Sequence, residues 1–154
     1  GLPLKILHPQ LELALIDSLG KRVKFLQEVI SELNLTGVNT VHGRAEDLGR
    51  VPGFRDCFDV VVARAVSKMS ILTEYCIPLV KIGGKFIAAK GPNIGEEIEQ
   101  SKTAFKLLGV KLVDIKETFL PGKGDSRSII IIEKMTATPK EYPRKAGVPE
   151  KKPL

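Results

Sequence analysis

The spacing of hydrophobic positions changes several times along the chain, and each change predicts an element. Leu11 to Ile16 is apolar except for Glu12, a short continuous run that suits a buried parallel strand better than a helix. From Lys21 onward Val23, Leu26, Val29, Ile30 and Leu33 follow the three-and-four spacing of an amphipathic helix, which Gly37 ends at the latest. Val38 to Val41 predicts a second strand and Phe58 to Ala63, FDVVVA, a third. Met69, Leu72, Cys76, Leu79 and Val80 return to helical spacing, after which Gly83-Gly84 predicts a turn into the strand KFIAA, Lys85 to Ala89. Ile94 to Leu108 has the acidic start and basic finish that favour a helix dipole, with Gly109 as its cap. Val110 to Phe119 and Ser128 to Glu133 then read as two strands in succession.

Strands alternating with helices predict an α/β fold with a mostly parallel, doubly wound sheet, and the two closing strands predict a C-terminal antiparallel hairpin. The folded domain is expected over residues 1–135. From Thr136 the chain reads TATPKEYPRKAGVPEKKPL, with four of the ten prolines and five basic residues against two acidic. Residues 136–154 are therefore expected as a basic, Pro-rich tail without helix or interior strand, laid over the surface or reaching a partner.

Composition narrows the function classes. The chain has 154 residues, 43% of them hydrophobic, which matches one globular domain with a real core. A net charge of +6 favours an anionic partner without requiring one. No apolar stretch approaches the ~20 residues of a membrane span, and no signal-peptide pattern opens the chain, so no membrane partner is expected. Cys57 and Cys76 lack CxxC spacing or a histidine-rich neighbourhood, which argues against a metal site or disulfide scaffold and for reduced thiols in a cytoplasmic protein. His8 and His42 converge with no other ligands and read as structural or solvated. Cys76 falls inside a predicted helix, as a packing residue rather than a nucleophile.

In an open parallel sheet, ligands bind beyond the carboxyl ends of the strands. Asp17 stands there after the first strand. It fits an acceptor for ribose hydroxyls, and equally a helix N-cap, as does Ser18. Glu46, in HGRAED after the second strand, fits an acceptor for an adenine amino group or a solvated charged turn. Arg64 follows FDVVVA, five of whose six residues are apolar, and brings its charge out at the sheet edge, where a ligand or acidic partner is favoured. Lys90-Gly91 follows the fourth strand and offers a point charge beside a glycine that permits close backbone approach.

Together LIDSLGKRVKFLQEV, VHGRAEDL, FDVVVARAVSKMSILTEYCIPLVKIGGKFIAAKG and the closing YPRKAGVPEKKPL resemble the bacterial ribosomal RNA methyltransferase family RsmG, also called GidB, from the first residue to the last. The resemblance implies a class I S-adenosylmethionine-dependent methyltransferase, Rossmann-like, that methylates N7 of a guanine in 16S ribosomal RNA or the small ribosomal subunit. It implies that Asp17 holds the ribose of S-adenosyl-L-methionine, that Ser18 is among the cofactor-binding residues, that Ala45 and Glu46 hold the adenine, and that Arg64 lies in the cofactor or substrate pocket. Lys90, Lys123, Arg127, Arg144 and Lys145 are the candidates for RNA phosphates.

Guanine N7 has a lone pair and no proton, so its methylation needs orientation but no general base, and none is evident. Ala63-Arg64-Ala65 stands where enzymes acting on exocyclic amines place an Asn/Asp-Pro-Pro-aromatic turn, and Cys76 is in the wrong element for pyrimidine C5 chemistry. The family opens its domain with a strand and a turn reading roughly GxGxGFPG, whereas this chain opens at GLPLKI, the residues that follow that turn. The chain is thus expected to be the C-terminal portion of such an enzyme, lacking the first central strand. The strands ending at Asp17 and Arg64 would then either close onto each other or leave a gap, and the chain alone would bind cofactor weakly. Alternatives are a non-catalytic RNA-binding fragment, and a methyltransferase-fold enzyme acting on another substrate.

Overall fold

The computed structural model describes residues 1–64, 67–119 and 126–154. Its residues gather into two compact units, Gly1–Ala45 and Glu46–Leu154.

The first unit opens with α1 (Leu2–Leu7), unannounced by any apolar period, with proline in its first turn where the missing N–H costs nothing. The Lys5 ammonium is buried and donates to the carbonyls of Pro9 (2.7 Å) and Leu11. β1 (Leu13–Asp17) runs parallel to β2 (Val38–His42), in register from Leu13↔Val38 to Asp17↔His42. α2 (Gly20–Glu32) joins them and ends at Leu33, with Asn34 and Gly37 at positive φ breaking the helix and turning the chain into β2. β1 was expected to be buried, yet all five of its residues are only half-buried. A two-stranded ribbon lacks the neighbours needed to cover both faces of a parallel strand.

The second unit holds a four-stranded sheet in the order β3-β4-β6-β5: β3 (Phe58–Arg64), β4 (Val80–Lys90), β5 (Val110–Phe119) and β6 (Ser126–Lys134). β3 and β4 are parallel, whereas β6 is antiparallel to both β4 and β5, so the expected closing hairpin is present. Among the described residues β1 forms a ladder with β2 and β3 with β4, and each leaves one edge without a ladder partner. Gly83-Gly84 is not the turn its composition predicts. β4 starts at Val80 and carries the glycines through an irregularity in its pairing with β3, where a Cβ on Gly84 would lie 2.8 Å from the Asp59 carbonyl oxygen.

The helices are shorter than their periodicity. α4 (Met69–Cys76) gives way to a 3-10 turn, Ile77–Leu79, at Pro78, which cannot continue the hydrogen-bond ladder. The run from Ile94 divides into α5 (Gly95–Gln100) and α6 (Lys102–Leu107) at Ser101, whose hydroxyl donates to the Glu97 carbonyl at 2.7 Å. All eight residues of α4 are buried. Phe86, Ala88, Ile130 and Ile132 are fully buried and occupy one sheet face by their pairing, Phe86 opposite Ile132 and Ala88 opposite Ile130. The run of four isoleucines in β6 shows no polar alternation, yet its burial alternates strictly.

Two charges enter this core. Lys134 has no exposed side-chain surface. Its ammonium donates to the Asp56 carboxylate and to the carbonyls of Ile77 (3.0 Å) and Val80 (2.8 Å). Burial lowers its pKa while the paired Asp56 opposes that shift. Glu74, also without exposed side-chain surface, accepts from the Arg144 guanidinium in a fork, Nε to Oε1 at 2.8 Å and Nη2 to Oε2 at 2.6 Å, and from the Arg144 amide at 2.8 Å.

That fork corrects the expectation for residues 136–154. The segment packs within the second unit, with Thr138, Pro143 and Pro149 buried, and ends in a short helix, α7 (Val148–Lys151). Pro149 is compatible with helix because it lies in the first turn. Prolines supply carbonyl acceptors but no backbone donors, and arginines from outside the segment satisfy them. Arg55 donates to the carbonyls of Thr138 (2.7 Å), Pro139 (3.3 Å) and Tyr142 (2.8 Å), and Arg50 to those of Glu141 (3.0 Å) and Pro143.

Replacing Lys134 with Met keeps the volume but strands two buried carbonyls and removes Asp56's partner. Loss of one member of such a pair costs roughly 3 to 5 kcal/mol. Asp56 is 38% exposed and regains water, which places the expected loss near the lower limit. Urea denaturation of the variant checks this, and an unchanged midpoint would show that the ammonium contributes nothing to stability.

Candidate functional site

In the first unit the carboxyl ends of β1 and β2 are stitched together. Asp17 and His42 stand opposite each other, the Gly43 amide donates to the Asp17 carbonyl at 3.1 Å, and His42 Nε2 lies 3.1 Å from the Ser18 carbonyl. The Asp17 carboxylate uses Oδ1 to accept the Leu19 amide at 2.8 Å, closing a turn over Ser18. Arg22 approaches Oδ2 only at 3.5 Å from an exposed position. The N-cap of α2 is Leu19, without a side-chain cap, so neither Asp17 nor Ser18 has the capping role that spacing allowed. The start of α2 packs beside the His42 ring, which a Cβ on Gly20 would meet at 3.5 Å, an ordinary van der Waals contact. His42, read from the sequence as structural or solvated, is the side chain that joins the two strand ends.

In the second unit Glu46 lies in α3 (Ala45–Leu48), directly after Ala45, and is 7% exposed. Its Oε1 accepts the amide of Gly147 at 3.3 Å, so this carboxylate is tied to the C-terminal segment rather than solvated. Arg64 is exposed at the carboxyl end of β3, opposite Ala89, and Lys90 ends the neighbouring parallel strand. Lys90 is turned inward. Its side chain is 12% exposed, paired with Glu97 at 2.7 Å and donating to the Ser67 carbonyl at 2.7 Å.

The remaining RNA candidates separate by what they already hold. Lys123 lies outside the described residues. Arg127 is half-buried, with Nη1 donating to the Ser126 carbonyl at 2.9 Å. Arg144 is committed to Glu74, and that pairing raises its pKa above the ordinary arginine value. Lys145 is exposed, as are Lys140, Lys151 and Lys152 of the same segment. The sequence reasoning missed Glu74 and Glu97. Glu97 had a visible signal in the acidic start of its helix, whereas Glu74 sits mid-helix and carries none.

Among the described residues no group of His, Cys, Asp or Glu could hold a metal ion, and no helix is long and apolar enough to cross a membrane. Burial pushes the Cys76 thiol up to about 12, so it is no nucleophile near neutral pH, whereas Cys57 is exposed.

The model of one protein family, rRNA small subunit methyltransferase G (GidB), matches residues 1–129. The chain is 52% identical over 154 residues to a ribosomal RNA small subunit methyltransferase G of Lactobacillus delbrueckii subsp. bulgaricus, covering 100% of this chain and 64% of the relative. It is 51% identical to the protein of the same name from Alkaliphilus metalliredigens, with the same coverage. The chain thus spans about 64% of the length of these relatives. Among solved structures, M. jannaschii TYW2 in complex with AdoMet aligns over 80% of this chain and 59% of its own, at TM-score 0.59 and 20% identity. A mutant of the 16S rRNA (adenine(1408)-N(1))-methyltransferase from Catenulisporales acidiphilia aligns over 87% of this chain and 78% of its own, at TM-score 0.67 and 11% identity. These structural likenesses establish the fold, that of class I S-adenosylmethionine-dependent methyltransferases.

Removing Arg144 leaves the Glu74 carboxylate buried without its partner, a loss expected to cost roughly 3 to 5 kcal/mol. In the Arg144→Ala variant the midpoint of urea denaturation should fall accordingly. Cys76, two residues beyond Glu74, should react with a thiol reagent at pH 8 faster than in the parent chain while Cys57 is unaffected. Equal Cys76 labelling rates in the two proteins would show that α4 does not depend on the fork.

Proposed function

This chain belongs to the rRNA small subunit methyltransferase G (GidB) family, and we propose that the protein it represents transfers a methyl group from S-adenosyl-L-methionine to N7 of a guanine in 16S ribosomal RNA, acting in the cytoplasm on that RNA or on the small ribosomal subunit. The carrying observation is the family match across residues 1–129, which includes every strand end at which a ligand-facing side chain was expected.

The residues present fit the cofactor. An ionised carboxylate offers about four acceptor sites. Asp17 uses one for the Leu19 amide and meets Arg22 only at 3.5 Å, which leaves capacity for two ribose hydroxyls. When bound, S-adenosylmethionine supplies an electrophilic methyl on a sulfonium centre. Asp17 orients the ribose, the turn carrying Ser18 is fixed by His42, and Ala45 and Glu46 face the adenine, Glu46 being held in place by the Gly147 amide. Arg64, exposed at the end of β3, is available to the substrate side. N7 needs no base, so these residues contribute binding and orientation alone, and no proton has to be removed.

Exposed Lys145 contacts phosphate in this scheme. Arg144 contributes indirectly, because its fork with Glu74 fixes the backbone from which Lys145 projects. Arg127 and Lys123 complete the proposed set of RNA-contacting cations, whereas the Lys90 charge is already paired with Glu97.

Asp17 is partly exposed and makes one short local hydrogen bond, so Asp17→Ala in the full-length protein should weaken cofactor binding by about 1 to 3 kcal/mol with little change in melting temperature. Calorimetry with S-adenosylmethionine decides, and undiminished affinity would remove Asp17 from the ribose site. Glu46→Ala should lower both affinity and stability, because its buried carboxylate also holds Gly147.

For the RNA side, Lys145→Ala should lower affinity for 16S RNA and reduce the log-log salt slope by about one unit. An unchanged slope would mean that Lys145 meets no phosphate.

A further inference from the structure

α4 is buried along its whole length, so the amides of its first turn cannot rely on water. The Met69 amide, first in the helix, donates to Glu97 Oε1. The same carboxylate oxygen pairs with the Lys90 ammonium at 2.7 Å, and Lys90 donates in turn to the Ser67 carbonyl at 2.7 Å. The start of α5, the end of β4 and the start of α4 thus share one charge-assisted network. Glu97 and Lys90 are 27% and 12% exposed, too enclosed for the pair to be a screened surface bridge.

Ser67 and Met69 follow Arg64 by three and five residues, at the carboxyl edge where the parallel strands β3 and β4 end. Anchors only three and five residues away in sequence limit how far the Arg64 backbone can lie from them. We propose that Glu97, acting with Lys90, is a positioning residue for the substrate side of the site: it fixes Ser67 and Met69, and through them the placement of Arg64 against the base, without touching cofactor or RNA. The proposal rests on the methyltransferase function above. It assigns the Lys90 charge principally to this network rather than to a phosphate.

The network is tested in the full-length protein, with small ribosomal subunits that lack the modification as substrate. Glu97→Ala removes both the acceptor for the Met69 amide and the partner of Lys90. The single-turnover rate of methyl transfer should fall roughly tenfold to a hundredfold, the scale of a misplaced reacting group, while the dissociation constants for S-adenosylmethionine and RNA stay within about twofold. Glu97→Gln keeps an oxygen that accepts from Met69 and Lys90, and should recover most of the rate. Lys90→Met should resemble Glu97→Ala, and the double variant should be no slower than the slower single one, as for groups that act as a unit. Hydrogen exchange supplies a readout independent of activity: protection of the Met69 amide should be lost in Glu97→Ala and retained in Glu97→Gln. Parental rate and parental Met69 protection in Glu97→Ala would overturn the proposal, as would a joint fall of rate, both affinities and melting temperature without recovery in Glu97→Gln. A salt slope reduced in Lys90→Met but not in Glu97→Ala would return Lys90 to phosphate binding. A parent protein that transfers no methyl group would refute the methyltransferase function, and the exchange experiment would still decide whether Glu97 holds Met69.

Discussion

A charge carried into an apolar core must meet its partner there, and the second unit is organised around two such demands. Lys134, in β6, reaches Asp56 and the carbonyls of Ile77 and Val80, at the turn between α4 and β4. Glu74 opens from the middle of α4 to Arg144 in the C-terminal segment. Neither acceptor set is local. The pairs join residues 78 and 70 positions apart, so each closes a long loop and fixes a segment that has little apolar surface of its own. The segment from Thr136 onward is ordered for this reason. It contributes few hydrophobic side chains, but its carbonyls meet Arg50 and Arg55, and its one buried guanidinium partner is Glu74.

The proposed chemistry occupies what these constraints leave available. Strand carboxyl ends carry Asp17 in one unit and Arg64 and Lys90 in the other, and each is held differently. Asp17 is kept by a local turn, with most of its carboxylate capacity unused. Lys90 is drawn into a network with Glu97 that serves the backbone behind Arg64. Glu46 combines two tasks, standing after β2 where a ligand is expected while accepting a backbone amide from the C-terminal segment. The Glu46 carboxylate is thus committed to the distant Gly147 amide, whereas the Asp17 carboxylate closes only a local turn.

Much of the fold was legible because it is encoded in short windows. The amphipathic period after Lys21, the apolar FDVVVA run and the paired closing strands each declare their element within ten to fifteen residues or so. Errors arose where a residue's meaning depended on neighbours distant in sequence. Gly83-Gly84 reads as a turn by composition, but a parallel neighbour turns it into an irregular stretch of β4. The apolar run of β1 reads as buried, but with β2 as its only ladder partner among the described residues it remains half-covered. The prolines after Thr136 read as surface tail because they cannot build regular ladders, although they can still be packed if other side chains donate to their carbonyls.

By itself, the sequence determined the order of the strands and of the longer helices between them, the family, and the placement of Asp17, Arg64 and Lys90 at strand ends, since local periodicity sets where each strand stops. Only the tertiary structure decided which charges remain available. Asp17, Lys90, Glu74 and Arg144 are all ionisable residues without special local context, yet one keeps acceptor capacity, two answer burial demands and one anchors a loop. The reason is physical: burial and pairing are properties of three-dimensional neighbours, and desolvation penalises a charge according to the partners that the complete fold brings within hydrogen-bond distance.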